Sequence, residues 1–129
     1  MIDLNLYQKL IFESLKSDIY TTYDFVPSDA EMPLVIIEDL NIIKGNIRVG
    51  EIYKITQNID IYSDYEGKKE INKISNDVVE KINNLYGKKI DQFSICDVRI
   101  LDLSISKIID ENSIFYKTNM IAEFAVDNI

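Results

Sequence analysis

Three stretches of this chain alternate between apolar and polar residues, the period of a β-strand with one dry face and one wet face. In EIYKITQNIDIYS, residues 51–63, Tyr53, Ile55, Ile59 and Ile61 fall on one side and Lys54, Thr56, Asn58 and Asp60 on the other. In residues 115–126, Tyr116, Met120, Ala122, Phe124 and Val126 oppose Lys117, Asn119 and Glu123. Residues 98–109 set Leu101, Leu103 and Ile105 against Asp102, Ser104 and Ser106. The short Asp110-Glu111-Asn112-Ser113 link predicts an antiparallel hairpin between these last two strands. A sheet of this kind folds only if another layer covers its dry face.

Two segments have the spacing to supply that layer. In residues 3–17, Tyr7, Leu10, Ile11 and Leu15 recur at helical spacing behind Asp3, a good N-cap. In residues 68–86, Ile71, Ile74, Val78, Ile82 and Leu85 form one stripe, and Gly87 stands where a left-handed cap is wanted, followed by Lys88 and Lys89 at the negative helix end. Between them, Ile19 to Tyr23 is β-prone, and the polar segment bracketed by Pro27 and Pro33 reads as a loop. Leu34 to Leu40 reads as a strand buried on both faces. The expectation is one α+β domain over residues 1–129, with a mainly antiparallel sheet covered on one face by two helices in the order α-β-β-α-β-β. The 24 Ile against 9 Leu and 3 Ala agree with a sheet, although an AT-rich genome produces the same bias.

One segment fits this plan poorly. NIIKGNIRVG, residues 41–50, combines the turn formers Lys44, Gly45, Asn46 and Gly50 with aliphatic Ile42, Ile43, Ile47 and Val49. Left open to water, that much aliphatic surface is unfavourable. The segment is therefore expected either to pair as a hairpin or to meet a partner, and Ile43, Lys44, Asn46, Ile47 and Arg48 are the candidate contact residues.

Composition removes several classes of function. The net charge of −8 opposes nonspecific binding to nucleic acid or to an anionic membrane. With no His, the commonest general base is missing and His-containing triads and metal sites are excluded. A lone Cys excludes an intrachain disulfide and a Cys-based zinc site, and suits a reducing compartment. The charged residues of positions 1–20 argue against a signal peptide or a membrane span there. No cofactor is implied.

The remaining chemistry is carboxylate chemistry. Glu38-Asp39, Asp110-Glu111 and the Asp60/Asp64 pair around Tyr62 have no ligand-spaced loop and no neighbouring nucleophile, so solvated acids on turns and on a wet strand face are the expectation. Cys96, next to Asp97, is expected to be a small buried hydrophobe. Tyr53, Tyr86 and Tyr116 are expected in the core, with Tyr62 and Tyr65 at its edge. No catalytic residue is assigned, and the chain is not expected to be an enzyme.

The N-terminal helix, the Asp24-Phe25-Val26-Pro27 stretch followed by Met32-Pro33-Leu34-Val35-Ile36-Ile37, and the strand Gln57 to Ser63 with its S-x-x-x-G link into an amphipathic helix together resemble a family of small phage proteins. These are the tail terminator, or tail completion, proteins of long-tailed phages, prophages and phage-tail-like bacteriocins, and the resemblance runs over about residues 3–127. It implies a homo-oligomeric ring, usually a hexamer, that caps the head-proximal end of the tail tube, ends its polymerisation and offers a docking face to the neck or head connector. The implied partners are further copies of the chain, the tail tube protein and a neck protein, without membrane or specific nucleic-acid binding. The implied location is the virion tail or tail-like particle, and the bacterial cytoplasm during assembly. An acidic surplus suits a channel wall along which DNA slides. Two other readings stand beside this one: another neck component or a protein-binding adaptor with an exposed sheet edge, and a small enzyme using carboxylates alone.

Overall fold

Asp3 caps the first helix as its sequence requires: the carboxylate accepts hydrogen bonds from the backbone N–H groups of Asn5 and Leu6 at 3.0 and 3.2 Å. A computed structural model describes residues 2–44, 51–91 and 93–128. The elements are α1 (Leu4–Ser14), β1 (Thr21–Tyr23), β2 (Leu34–Lys44), β3 (Glu51–Ser63), α2 (Lys69–Asn83), β4 (Lys89–Ile90), β5 (Phe93–Asp110) and β6 (Ser113–Asn128). They build a six-stranded sheet in the order β1-β2-β3-β6-β5-β4. Among the described residues, only the β1–β2 pair is parallel. The fold is α+β and mostly strand.

The simple six-element order is corrected by two short additions, β1 and β4, one at each edge of the sheet. The β-prone stretch after α1 becomes β1, and Lys89-Ile90 becomes β4 because Gly87, at φ +80°, turns the chain back against the start of β5. Both helices end earlier than the sequence stripes, since Leu15 and Leu85 remain buried while lying beyond the last helical turn.

The alternation is realised on the central strands. Tyr53, Ile55, Ile59 and Ile61 of β3 pair across the ladder with Val126, Phe124, Met120 and Thr118 of β6, and all eight are buried. Burying a large aliphatic side chain of this kind contributes roughly 1.5–3 kcal/mol. Tyr7 of α1 packs its ring edge-on against Phe124, with centroids 6.2 Å apart. Ser75 of α2 hydrogen-bonds Thr118 at 2.8 Å, and Glu70 accepts a hydrogen bond from Ser63 at 2.7 Å. Both helices thus reach residues of the same apolar set.

Bulges account for most of the remaining departures. A register shift between Ile95 and Asp97 makes Cys96 the extra residue of a bulge, so it is exposed instead of buried, its thiol 3.3 Å from the Ala125 carbonyl. A second shift between Ile100 and Asp102 leaves Leu101 without a partner in the ladder, and it is exposed. β2 is buried at Leu34, Val35 and Ile37, but past its own register shift Glu38 to Asn41 are exposed, because β1 pairs only with the first three residues of β2. Tyr86 lies exposed beyond α2, and Tyr116 is half-buried.

Candidate assembly surfaces

Because β5 and β6 are longer than β3, the sheet has two unlike ends. At one end β2 and β3 pair as far as Lys44 and Tyr53, and Ile43 (58% exposed) and Lys44 stand exposed at this margin. Of the predicted contact residues, Asn46, Ile47 and Arg48 lie outside the described residues. At the opposite end β3 stops at Ser63, opposite Tyr116, while the β5–β6 hairpin runs on to its turn after Asp110.

That overshoot creates a cleft of about 750 Å³ between the hairpin and the Asp64–Gly67 turn, which Gly67 makes possible at φ +85°. Ile109 and Ile114 pair across the hairpin on the helix side of the sheet, 73% and 54% exposed, because α2 begins only at Lys69. Asp64, Glu66, Asp110 and Glu111 line the same cleft with one cation, Lys107.

The long edge is a second feature. β4 pairs only with Phe93 and Ser94, and the Lys88 carbonyl and Gly87 N–H add bonds to Ile95. Among the described residues, no strand pairs with the outer side of β5 from Cys96 to Asp110. Its two bulges twist this edge and interrupt its regularity, a common protection against indiscriminate pairing.

The face of β3 opposite the Tyr53–Ile61 row carries Lys54, Asp60 and Tyr62 among others. Asp60 and Lys117 approach to 3.8 Å there, with the Lys117 ammonium over the Tyr62 ring. Burial holds the Asp60 carboxyl above the ordinary aspartate range, with Lys117 pulling the other way. Burial and the neighbouring Asp60 and Asp39 charges likewise raise Glu38. Hydrogen bonding to Tyr62 is the largest influence raising Lys117, opposed by its own desolvation. Asp64, by contrast, is exposed on the cleft, so the Asp60/Asp64 pair is divided between different surfaces. Among the described residues, no three or more His, Cys, Asp or Glu side chains converge as metal ligands.

The most consequential polar side chain is one the alternation hides. Gln57 sits on the apolar face of β3, 1% exposed. Its Nε2 donates to the carbonyls of Glu38 at 2.8 Å, Asn58 at 3.0 Å and Asp39 at 3.3 Å, while its Oε1 accepts from the Tyr7 hydroxyl at 3.1 Å. Glu38 and Asp39 are the residues that the β2 bulge removes from the ladder, so Gln57 satisfies carbonyls the bulge has freed. Burial pushes the Tyr7 phenol upward and keeps it a donor. A glutamine between Ile55 and Ile59 in an otherwise apolar row is the signal from which this role could be read.

No helix among the described residues is long and apolar enough to cross a membrane. No family model and no curated protein matches the chain. Among solved structures, the chain is similar to one from the virion of the native gene transfer agent (GTA) particle, with a TM-score of 0.67 and 11% sequence identity over 95% of this chain and 92% of that one. At that identity the likeness is one of fold, extending over nearly the whole of both chains.

Proposed function

We propose that this chain is a structural protein of a phage virion or phage-tail-like particle, and that it acts as a tail terminator: a ring, usually of six copies, that caps the head-proximal end of the tail tube. The observation that carries this reading is the shared fold with a chain of a gene transfer agent virion, covering nearly the full length of each. The surfaces support it. The two sheet ends differ, and the two sheet edges differ, so a contact between unlike surfaces of successive copies is head-to-tail and closes into a ring when the rotation allows. A cap must also match the tube on one side and present something else on the other, which unlike ends provide.

In this reading the chain makes and breaks no bonds. Its partners are copies of itself, the tube protein and a neck protein, and Ile43, Lys44, Asn46, Ile47 and Arg48 contribute the subunit or tube contact. A second reading, a protein-binding adaptor, draws on the free edge of β5, which can accept a strand from a partner. Assembly reactions separate the two. The terminator reading expects that omitting the chain yields overlong tubes without heads and that restoring it returns tubes of uniform length. Tubes of normal length in its absence would contradict it.

A further inference from the structure

Both edges of the sheet stand open for much of their length. β1 pairs only with Leu34 to Ile36, so among the described residues no strand pairs with the outer side of β2 from Ile37 to Lys44. β5 is open from Cys96 to Asp110, and Leu103 and Ile109 are exposed on it. Both register shifts of β5 lie before Asp102, so the strand is regular, and without the protection of a bulge, from Asp102 to its turn. The three pairings that join β2, β3, β6 and β5 are antiparallel, so β2 and β5 run in opposite directions. A second copy set beside the first in the same orientation therefore brings its β2 antiparallel to β5. With four such strands, an even number, hydrogen-bonded and non-hydrogen-bonded pairs stay in phase across the join.

The short edge strand β1 restricts the register. Leu34, Val35 and Ile36 are level, through β3 and β6, with Ser106, Ile105 and Ser104. With no slide between copies, β1 of the second copy would therefore occupy the place of these β5 residues, and Asp102 would face Glu38 and Asp39. Moving the second copy toward the hairpin turn relieves both conflicts. Ile42 is level with Ile55 of β3, and Ile105, through Thr118, is level with Ile61. Matching Ile42 to Ile105 is thus a slide of six residues, an even number that keeps every side chain on its own face.

We propose that β5 of one copy, from Leu103 to Ile109, pairs antiparallel with β2 of the next copy, from Lys44 to Ile37, so that the sheet continues from copy to copy. Ile105 then lies opposite Ile42, both of which already pack against the core on the helix side, and Ile109 lies opposite Ile37. Ser106 meets Asn41 on the other face. Lys107 comes beside the Glu38-Asp39 bulge, and Asp102 comes beside Lys44, so opposite charges replace the like charges of the unslid register. β1 of the next copy reaches only the level of Asp110, where β5 turns into β6. Six residues of slide amount to about 20 Å against about 19 Å for the width of four strands, which tilts the strands about 45° from a ring axis, near the tilt of closed barrels. The proposal rests on the self-assembly reading above and names the edges through which it occurs. Joining two unlike edges is the heterologous contact that a ring demands.

Two measurements test it. The first is mild oxidation of N41C/C96S mixed with S106C/C96S, read as covalent dimer on a denaturing gel. A dimer is expected from this mixture, and not when R99C/C96S, the partner of Asn41 in the unslid register, replaces S106C/C96S. The second is native mass by light scattering of the wild type, K107E, D39K and K107E/D39K. Each single reversal is expected to lower the oligomer fraction by about tenfold or more, and the double variant to restore it. A dimer with R99C/C96S alone overturns the register, and a dimer from S106C/C96S by itself shows two β5 edges meeting and overturns the pairing with β2. If the wild type assembles while no mixture cross-links and the reversals change nothing, the edge contact is overturned and self-assembly stands. A wild type that remains monomeric at millimolar concentration overturns both.

Discussion

At the scale of single residues, Gln57 links three parts of the fold: the β2 bulge, β3 and the Tyr7 hydroxyl of α1. Gln57→Leu keeps the volume but leaves the Tyr7 hydroxyl and the bulge carbonyls without their buried partner. Unfolding in denaturant is expected to show a loss of about 2–4 kcal/mol. Asp60 carries a different kind of prediction. Its folded pKa is raised, mainly by burial, so the charged form is disfavoured in the fold. The stability this residue contributes is fully present below the unfolded aspartate value and is lost as pH rises through the raised folded one. Asp60→Asn removes that loss. The variant is expected to melt above the wild type at pH 7 by an amount worth under about 1 kcal/mol, the advantage fading toward about pH 4. It is expected to assemble normally, as is Cys96→Ser. Gln57 and Cys96 also show where residue-level reading stops. Neither bulge on which they depend follows from the side-chain pattern, because a bulge is set by how two strands of unequal path are matched.

Among the elements, the helix stripe and the central strands were readable because one periodicity dominated each. The boundaries Glu51–Ser63 of β3 coincide with the alternating run, and Ile71, Ile74, Val78 and Ile82 of α2 are all buried. Ile74→Ala is accordingly expected to cost about 2–5 kcal/mol, measured by chemical unfolding. The edges were harder to read. β4 is two residues long and β1 three, too short for any period, and both exist through pairing supplied by distant strands. The apolar run of β2 indicated burial on both faces, but only its first residues have a neighbour on each side. Of the candidate contacts, Ile43 and Lys44 are exposed at the end of β2. Ile43→Asp and Ile47→Asp are expected to leave the far-ultraviolet circular dichroism unchanged and to abolish assembly. Assembly of normal particles from either variant would remove this segment from the contact.

For the molecule as a whole, the sequence indicated an α+β fold built on a largely antiparallel sheet, and that fold is similar to one of a chain in a gene transfer agent virion. The cleft between the β5–β6 hairpin and the Asp64–Gly67 turn was not legible, since it arises from the difference in length between strands. Sequence alone makes Asp110 and Glu111 solvated turn acids and Asp64 part of a wet strand face, and only the tertiary arrangement gathers them with Glu66 beside Ile109 and Ile114. What this fold offers is two unlike ends and two unlike edges, the properties that a terminal ring needs. The direct test is to image purified particles by electron cryomicroscopy and locate the chain. The account predicts one ring of this fold at the head-proximal end of each tail tube, between the last tube ring and the neck. Finding the chain along the length of the tube, at the distal tip, or absent from the particle would contradict it.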